Sequence, residues 1–205
     1  MIPEFKNKDG TISSKTTKYY ENVLSYANKH NLRNTKISID LAIHLHDGQF
    51  RDGGAPYIIH PLEATNYLIL LGIWSPILKM NLDLSHDEQL AEEQAQQDLD
   101  ILLSAMLLHD TLEDCKEKLP EGGYEFIRTH NLHPDILSFV KILTKDKSAP
   151  DFSSEGYYQK IGTYWQTSIM KISDRVSNCS TIDSFNTHRM EKYVRIEPRM
   201  NGRFC

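Results

Sequence analysis

The stretch Ile101-Leu102-Leu103-Ser104-Ala105-Met106-Leu107-Leu108-His109-Asp110-Thr111-Leu112-Glu113-Asp114 decides the fold. Eight almost wholly apolar residues lead directly into a polar hexad, which predicts a core helix with chemistry at its end. Ser85, with Glu88 three residues later, reads as a capping box. It launches a long polar helix that turns apolar at Ile101 and continues to about Cys115. At about 100° per residue, His109, Asp110, Glu113 and Asp114 cover an arc of roughly 140° on a helix that is otherwise core. Three acids near a helix carboxyl end oppose the macrodipole, so stability alone does not account for them.

Outward from that segment the periodicity is helical almost throughout, which predicts an all-α fold. Tyr19, Tyr20, Val23, Leu24 and Ala27 keep helix-core spacing within Lys15 to His30, and Ile37, Leu41, Ala42 and Leu45 repeat it. The glycines and proline between Asp47 and Tyr57 make a loop, after which Pro61 suits the first turn of a helix ending at Gly72. Short helices are expected at about Tyr124 to Thr129 and from Pro134 to about Thr144. A helical region from Glu155 to Ile182, interrupted near Gly162, and a helix from His188 to Glu197 complete the reading. No alternating pattern of strand length occurs.

The 205 residues carry 28 Asp and Glu against 23 Lys and Arg, a net charge of −5. This length suits a single domain, 1–205, able to bury a core without disulfides. No apolar run approaches the roughly 20 residues of a membrane helix, and the amino terminus lacks a secretory pattern. A cytoplasmic protein that binds no membrane is therefore expected. Cys115, Cys179 and Cys205 are too scattered for a disulfide framework or a thiolate zinc site; the first two read as small buried hydrophobes. The acidic total argues against general nucleic-acid binding. That total is uneven, however: Asn81 to Cys115 holds ten acids and no Lys or Arg, leaving a remainder of net +5. An acidic helical insertion at about 80–100 is expected, with 83–100 a candidate surface for a protein partner or a second copy of the chain.

Three groups of residues could carry chemistry. The dipeptide His-Asp occurs three times, so only its setting gives weight to His109-Asp110. There, imidazole plus carboxylate is a mixed ligand set suited to Mn, Fe or Zn, and the two acids one turn on could orient a water. In the second group, Lys171, Asp174, Arg175, Asn178 and Thr181 share one helical face, away from Ile169, Ile172, Val176 and Cys179. Such a stripe is ordinarily solvated, but a carboxylate flanked by two cations and an amide also fits a metal ligand beside a phosphate-binding edge. The third group is the loop His46 to Pro61, where glycines allow close backbone approach, Arg51 offers a planar cation and His60 emerges at a helix start.

Taken in order, His46-Asp47-Gly48-Gln49-Phe50-Arg51, Pro56-Tyr57-Ile58-Ile59-His60-Pro61, Leu107-Leu108-His109-Asp110-Thr111-Leu112-Glu113-Asp114 and Lys171-Ile172-Ser173-Asp174-Arg175-Val176-Ser177-Asn178 resemble the hydrolase domain of the RelA/SpoT alarmone family, within the HD phosphohydrolase superfamily. The resemblance runs from about Ile39 to Thr181. It implies an all-α HD-domain bundle holding one Mn²⁺ through His60, His109, Asp110 and Asp174, with Glu113 and Asp114 as the water-handling acids. The implied reaction removes the 3′-pyrophosphate from ppGpp or pppGpp, leaving GDP or GTP. The resemblance also places Arg51 against the guanine, Asn178 and Thr181 along the nucleotide, Lys171 and Arg175 at the anionic or structural edge, and Lys145 in the family's Thr-Lys pair. His46 supports the loop rather than binding metal. Two positions depart from the pattern: Asp52 stands where a basic residue often follows the arginine, and Ser177 replaces the usual histidine before Asn178. Both lie on the nucleotide side and leave open another substrate, an adenine alarmone or the 2′-phosphate of NADPH, or a non-catalytic nucleotide-binding antitoxin.

Overall fold

The computed structural model describes residues 2–85, 87–119, 128–146, 150 and 152–180. The helix read at His188 to Glu197, most of that at Tyr124 to Thr129, and Thr181 lie outside the described residues. Helix is the only regular secondary structure among the described residues, with no strand, as the periodicity requires. The helices are α1 (Ser14–Lys29), α2 (Arg33–Leu45), α3 (Ile59–Leu70), α4 (Trp74–Leu84), α5 (Glu88–Leu108), α6 (Thr111–Asp114), α7 (Pro134–Leu143), α8 (Ser154–Ile161) and α9 (Trp165–Cys179). No single one is long and apolar enough to cross a membrane; α3 and α4 pass that test only jointly, across a 58° bend.

Helix α5 is the axis of the bundle. Every residue from Leu99 to Leu108 is buried, and α2, α3, α4 and α7 pack around it. Helix α3 is the second interior element, buried from Ile59 to Asn66 and flanked by α1 and α9. Gly72, at φ +67°, turns the chain from α3 into α4 in a conformation that a side chain would strain.

Three local expectations change. Helix α5 starts at Glu88 with Asp87 as its cap, the Leu90 amide donating to Asp87 Oδ1 at 3.1 Å, in place of the box read at Ser85. The same helix ends at Leu108 instead of running to Cys115. There His109 Nδ1 donates to the Met106 carbonyl at 2.7 Å and Thr111 Oγ1 to the Leu108 carbonyl at 2.6 Å, so side chains satisfy carbonyls the helix end would leave open. Glu113 and Asp114 belong to a separate turn.

The third change concerns α9. Its buried face is Thr167, Met170, Ser173, Asp174, Ser177 and Asn178, while Ile172 and Val176 are 38% and 45% exposed. The polar stripe faces inward because α3 supplies acceptors: Ser173 Oγ donates to the Ala64 carbonyl at 2.6 Å and Ser177 Oγ to Glu63 at 2.8 Å.

Part of the acidic tract is structural. The Asp100 carboxylate is buried and accepts from the Asn34 and Thr35 amides at 2.8 and 2.7 Å, from Asn34 Nδ2 at 2.8 Å and from Thr35 Oγ1 at 2.7 Å. It caps α2, whose own cap position, Leu32, has no side-chain acceptor. Asp98 accepts from Asn81 Nδ2 on α4 at 3.0 Å. Removing Asp100 strands several buried donors, so Asp100→Ala is expected to lower unfolding free energy by about 2–4 kcal/mol, read from urea denaturation.

Candidate metal centre

The ends of α3, α5 and the middle of α9 meet at one point. His60 enters from the first turn of α3, where Pro61 fits without losing a helical hydrogen bond. His109 and Asp110 come from the break after α5, and Asp174 from the inward face of α9. His60 Nε2 lies 3.3 Å from Asp110 Oδ2 and 3.1 Å from Asp174 Oδ1. His109 Nε2 lies 3.2 Å from Asp110 Oδ1 and 3.7 Å from Asp174 Oδ1. His60, His109 and Asp110 each offer a ligand atom within 4.8 Å of the others.

The tautomers are fixed from behind. His109 Nδ1 donates to a carbonyl oxygen, which can only accept, so its Nε2 turns into the cluster. That nitrogen is buried without a hydrogen-bond partner. Two imidazole nitrogens and two carboxylates converging, one of the nitrogens buried with no hydrogen bond to satisfy it, fit a divalent cation of the Mn, Fe or Zn group. His46 Nε2 is also buried without a partner, but His46 serves the loop: Nδ1 contacts Gln49 Oε1 at 2.7 Å and its ring stacks on Tyr57.

Charge is concentrated here. Burial alone would raise the Asp110 and Asp174 carboxyls; His109 and His60 hold the first well below its ordinary range, and Lys171 with the two histidines does so for the second. Burial lowers the His109 imidazole, but Asp110 and Asp174 carry it up to about 10. In the metal-free protein Asp110 and Asp174 therefore favour a proton on His109, which a cation bound there would have to displace. If these four groups hold a cation, Mn²⁺ binding by the metal-free protein at pH 8 is expected to release protons, and affinity should rise with pH. A weakly buffered indicator titration measures the release.

The two remaining acids of the motif differ. Glu113 is half-buried, its Oε1 accepts the Lys145 amide, and burial raises its carboxyl above the ordinary value. Asp114 is exposed and its Oδ2 accepts from Tyr57 Oη at 2.5 Å; the same phenol lies 2.9 Å from Asp110 Oδ2. Tyr57 thus ties the turn that carries Glu113 and Asp114 to Asp110. Burial followed by the charges of Asp110 and Asp114 pushes the phenol far upward, so it remains a donor.

Around the cluster, Lys171 Nζ pairs with Asp174 Oδ2 at 2.6 Å, and Asn178 Nδ2 donates to Asp174 Oδ1 at 2.7 Å. Arg51 Nη2 donates to Asn178 Oδ1 at 2.9 Å and its guanidinium lies 5.6 Å from the Tyr57 ring centre. Lys145 and Lys171 lie 4.9 and 5.8 Å from the Tyr157 ring centre. Arg175 is half-buried one position beyond Asp174. Cys115 is buried, its thiol pushed by burial up to about 11, and Cys179 is half-buried.

Two participants carried no signal of their own in the sequence. Glu63, one turn after His60, is buried and accepts from Tyr19 Oη at 2.8 Å, from Ser177 Oγ at 2.8 Å, from Ser180 Oγ at 2.9 Å, and pairs with Lys15 at 3.0 Å. Tyr57 sits inside a quoted motif, yet only the folded chain shows that it bridges two acids. Comparison with protein-family models and with curated proteins gives no match.

Proposed function

We propose that this chain is a metal-dependent phosphohydrolase of the RelA/SpoT alarmone-hydrolase type, removing the 3′-pyrophosphate of ppGpp or pppGpp. The observation that supports it is the convergence of His60, His109, Asp110 and Asp174 from three separated segments. Those four would hold Mn²⁺, which when bound acidifies water and offsets phosphate charge.

The chain's own groups supply the rest. Glu113, its pKa raised by burial and one oxygen anchored by the Lys145 amide, takes the proton from the attacking water. Tyr57 holds Asp114 and Asp110 in register. Lys145 and Lys171 bring positive charge to the edge where the pyrophosphate leaves, and Arg51 with Asn178 lines the nucleotide.

Pyrophosphate release from ppGpp by purified protein, with and without Mn²⁺, tests the reading. Parallel assays of ppApp and of phosphate release from NADPH assign the nucleotide. Binding of ppGpp by Mn²⁺-loaded protein without turnover would replace the hydrolase with a nucleotide-binding protein.

A further inference from the structure

We propose that Ser177 and Glu63 form a hydrogen-bond relay that fixes the tautomer of His60 and strengthens it as a ligand, so that Ser177 is a positioning residue for the metal centre. This rests on the reading of the four converging groups as a metal centre. His60 Nδ1 lies 2.9 Å from Ser177 Oγ, and Ser177 Oγ lies 2.8 Å from Glu63 Oε2.

The directions follow from counting hydrogens. An ionised carboxylate only accepts, and a hydroxyl has one hydrogen, so Ser177 donates to Glu63 and must accept from His60. Nδ1 of His60 therefore carries a proton, and Nε2, which faces Asp110 and Asp174, is the nitrogen left to bind a cation. A carboxylate reached through a hydroxyl draws on that proton more than a neutral carbonyl does, which makes Nε2 the better donor to a cation. The two histidines are thus supported differently: His109 by the Met106 carbonyl, His60 by a charged relay crossing from α9 to α3.

Glu63 is built to remain in place. Lys15 and Tyr19 on α1 and Ser180 beyond α9 hold it together with Ser177, and His60 and Glu63 are both 2% exposed.

Mn²⁺ affinity of the full chain, measured by chelator competition and by the electron paramagnetic resonance of free Mn²⁺, tests the relay. Ser177→Ala is expected to weaken binding about 10–100-fold, the range for removing a hydrogen-bond partner of a ligating histidine. Ser177→Thr, which keeps the hydroxyl, should restore it. Ser173→Ala removes an α9 to α3 hydrogen bond of similar length without touching His60, and is expected to leave affinity unchanged. Equal affinity in Ser177→Ala and the parent overturns the relay, as does an equal loss in Ser173→Ala or no recovery in Ser177→Thr. Absence of Mn²⁺ binding by the parent chain overturns the metal centre itself, a distinct outcome.

Discussion

On the proposed function, Asp110→Asn protein is expected to lose Mn²⁺ binding and pyrophosphate release together. Each Asp110 oxygen faces a different imidazole, at 3.3 Å from His60 Nε2 and 3.2 Å from His109 Nε2. An amide of the same shape must present hydrogens to one of those nitrogens and brings no charge. Since changing only a partner behind a ligand costs about 10–100-fold in affinity, losing a ligand's charge should exceed that. The substitution also weakens the Tyr57 contact at Oδ2, so the turn holding Asp114 loses an anchor. Elemental analysis after dialysis, beside the release assay and far-ultraviolet circular dichroism, reads all three effects. Retention of Mn²⁺ at the parent's level would remove Asp110 from the ligand set.

Glu113→Gln should separate what Asp110→Asn joins. Glutamine keeps an oxygen for the Lys145 amide, so the turn retains its anchor, but it cannot take a proton. Turnover should fall by about 10²–10⁴-fold, the usual contribution of a general base, with metal content unchanged. Full activity in this variant would reassign the proton to another group. Asp114, engaged by Tyr57, is the less suited of the pair.

The four converging groups were legible because each lies in a compact motif whose residue types already limit the chemistry. The break after Leu108 was not. Polar residues at 109, 110, 113 and 114 present the same helical spacing whether the helix continues or stops, and stopping depends on His109 and Thr111 bonding backwards to carbonyls. The orientation of α9 was illegible for a different reason. Hydropathy alone turns Ile172 and Val176 inward, but the acceptors on Ala64 and Glu63, more than 100 residues earlier, reverse the helix. Glu63 itself looks like any surface glutamate on α3 until Lys15, Tyr19, Ser177 and Ser180 gather round it.

The buried Asp100 carboxylate has a consequence for modularity. A true insert can be trimmed back to a short linker, leaving its host domain whole. Here the acidic segment contributes the cap that α2 lacks, and it reaches that helix across some 65 residues of chain. Shortening the tract past Asp98 would unseat the start of a neighbouring helix rather than remove an ornament, so the segment and the bundle stand or fall as one cooperative unit.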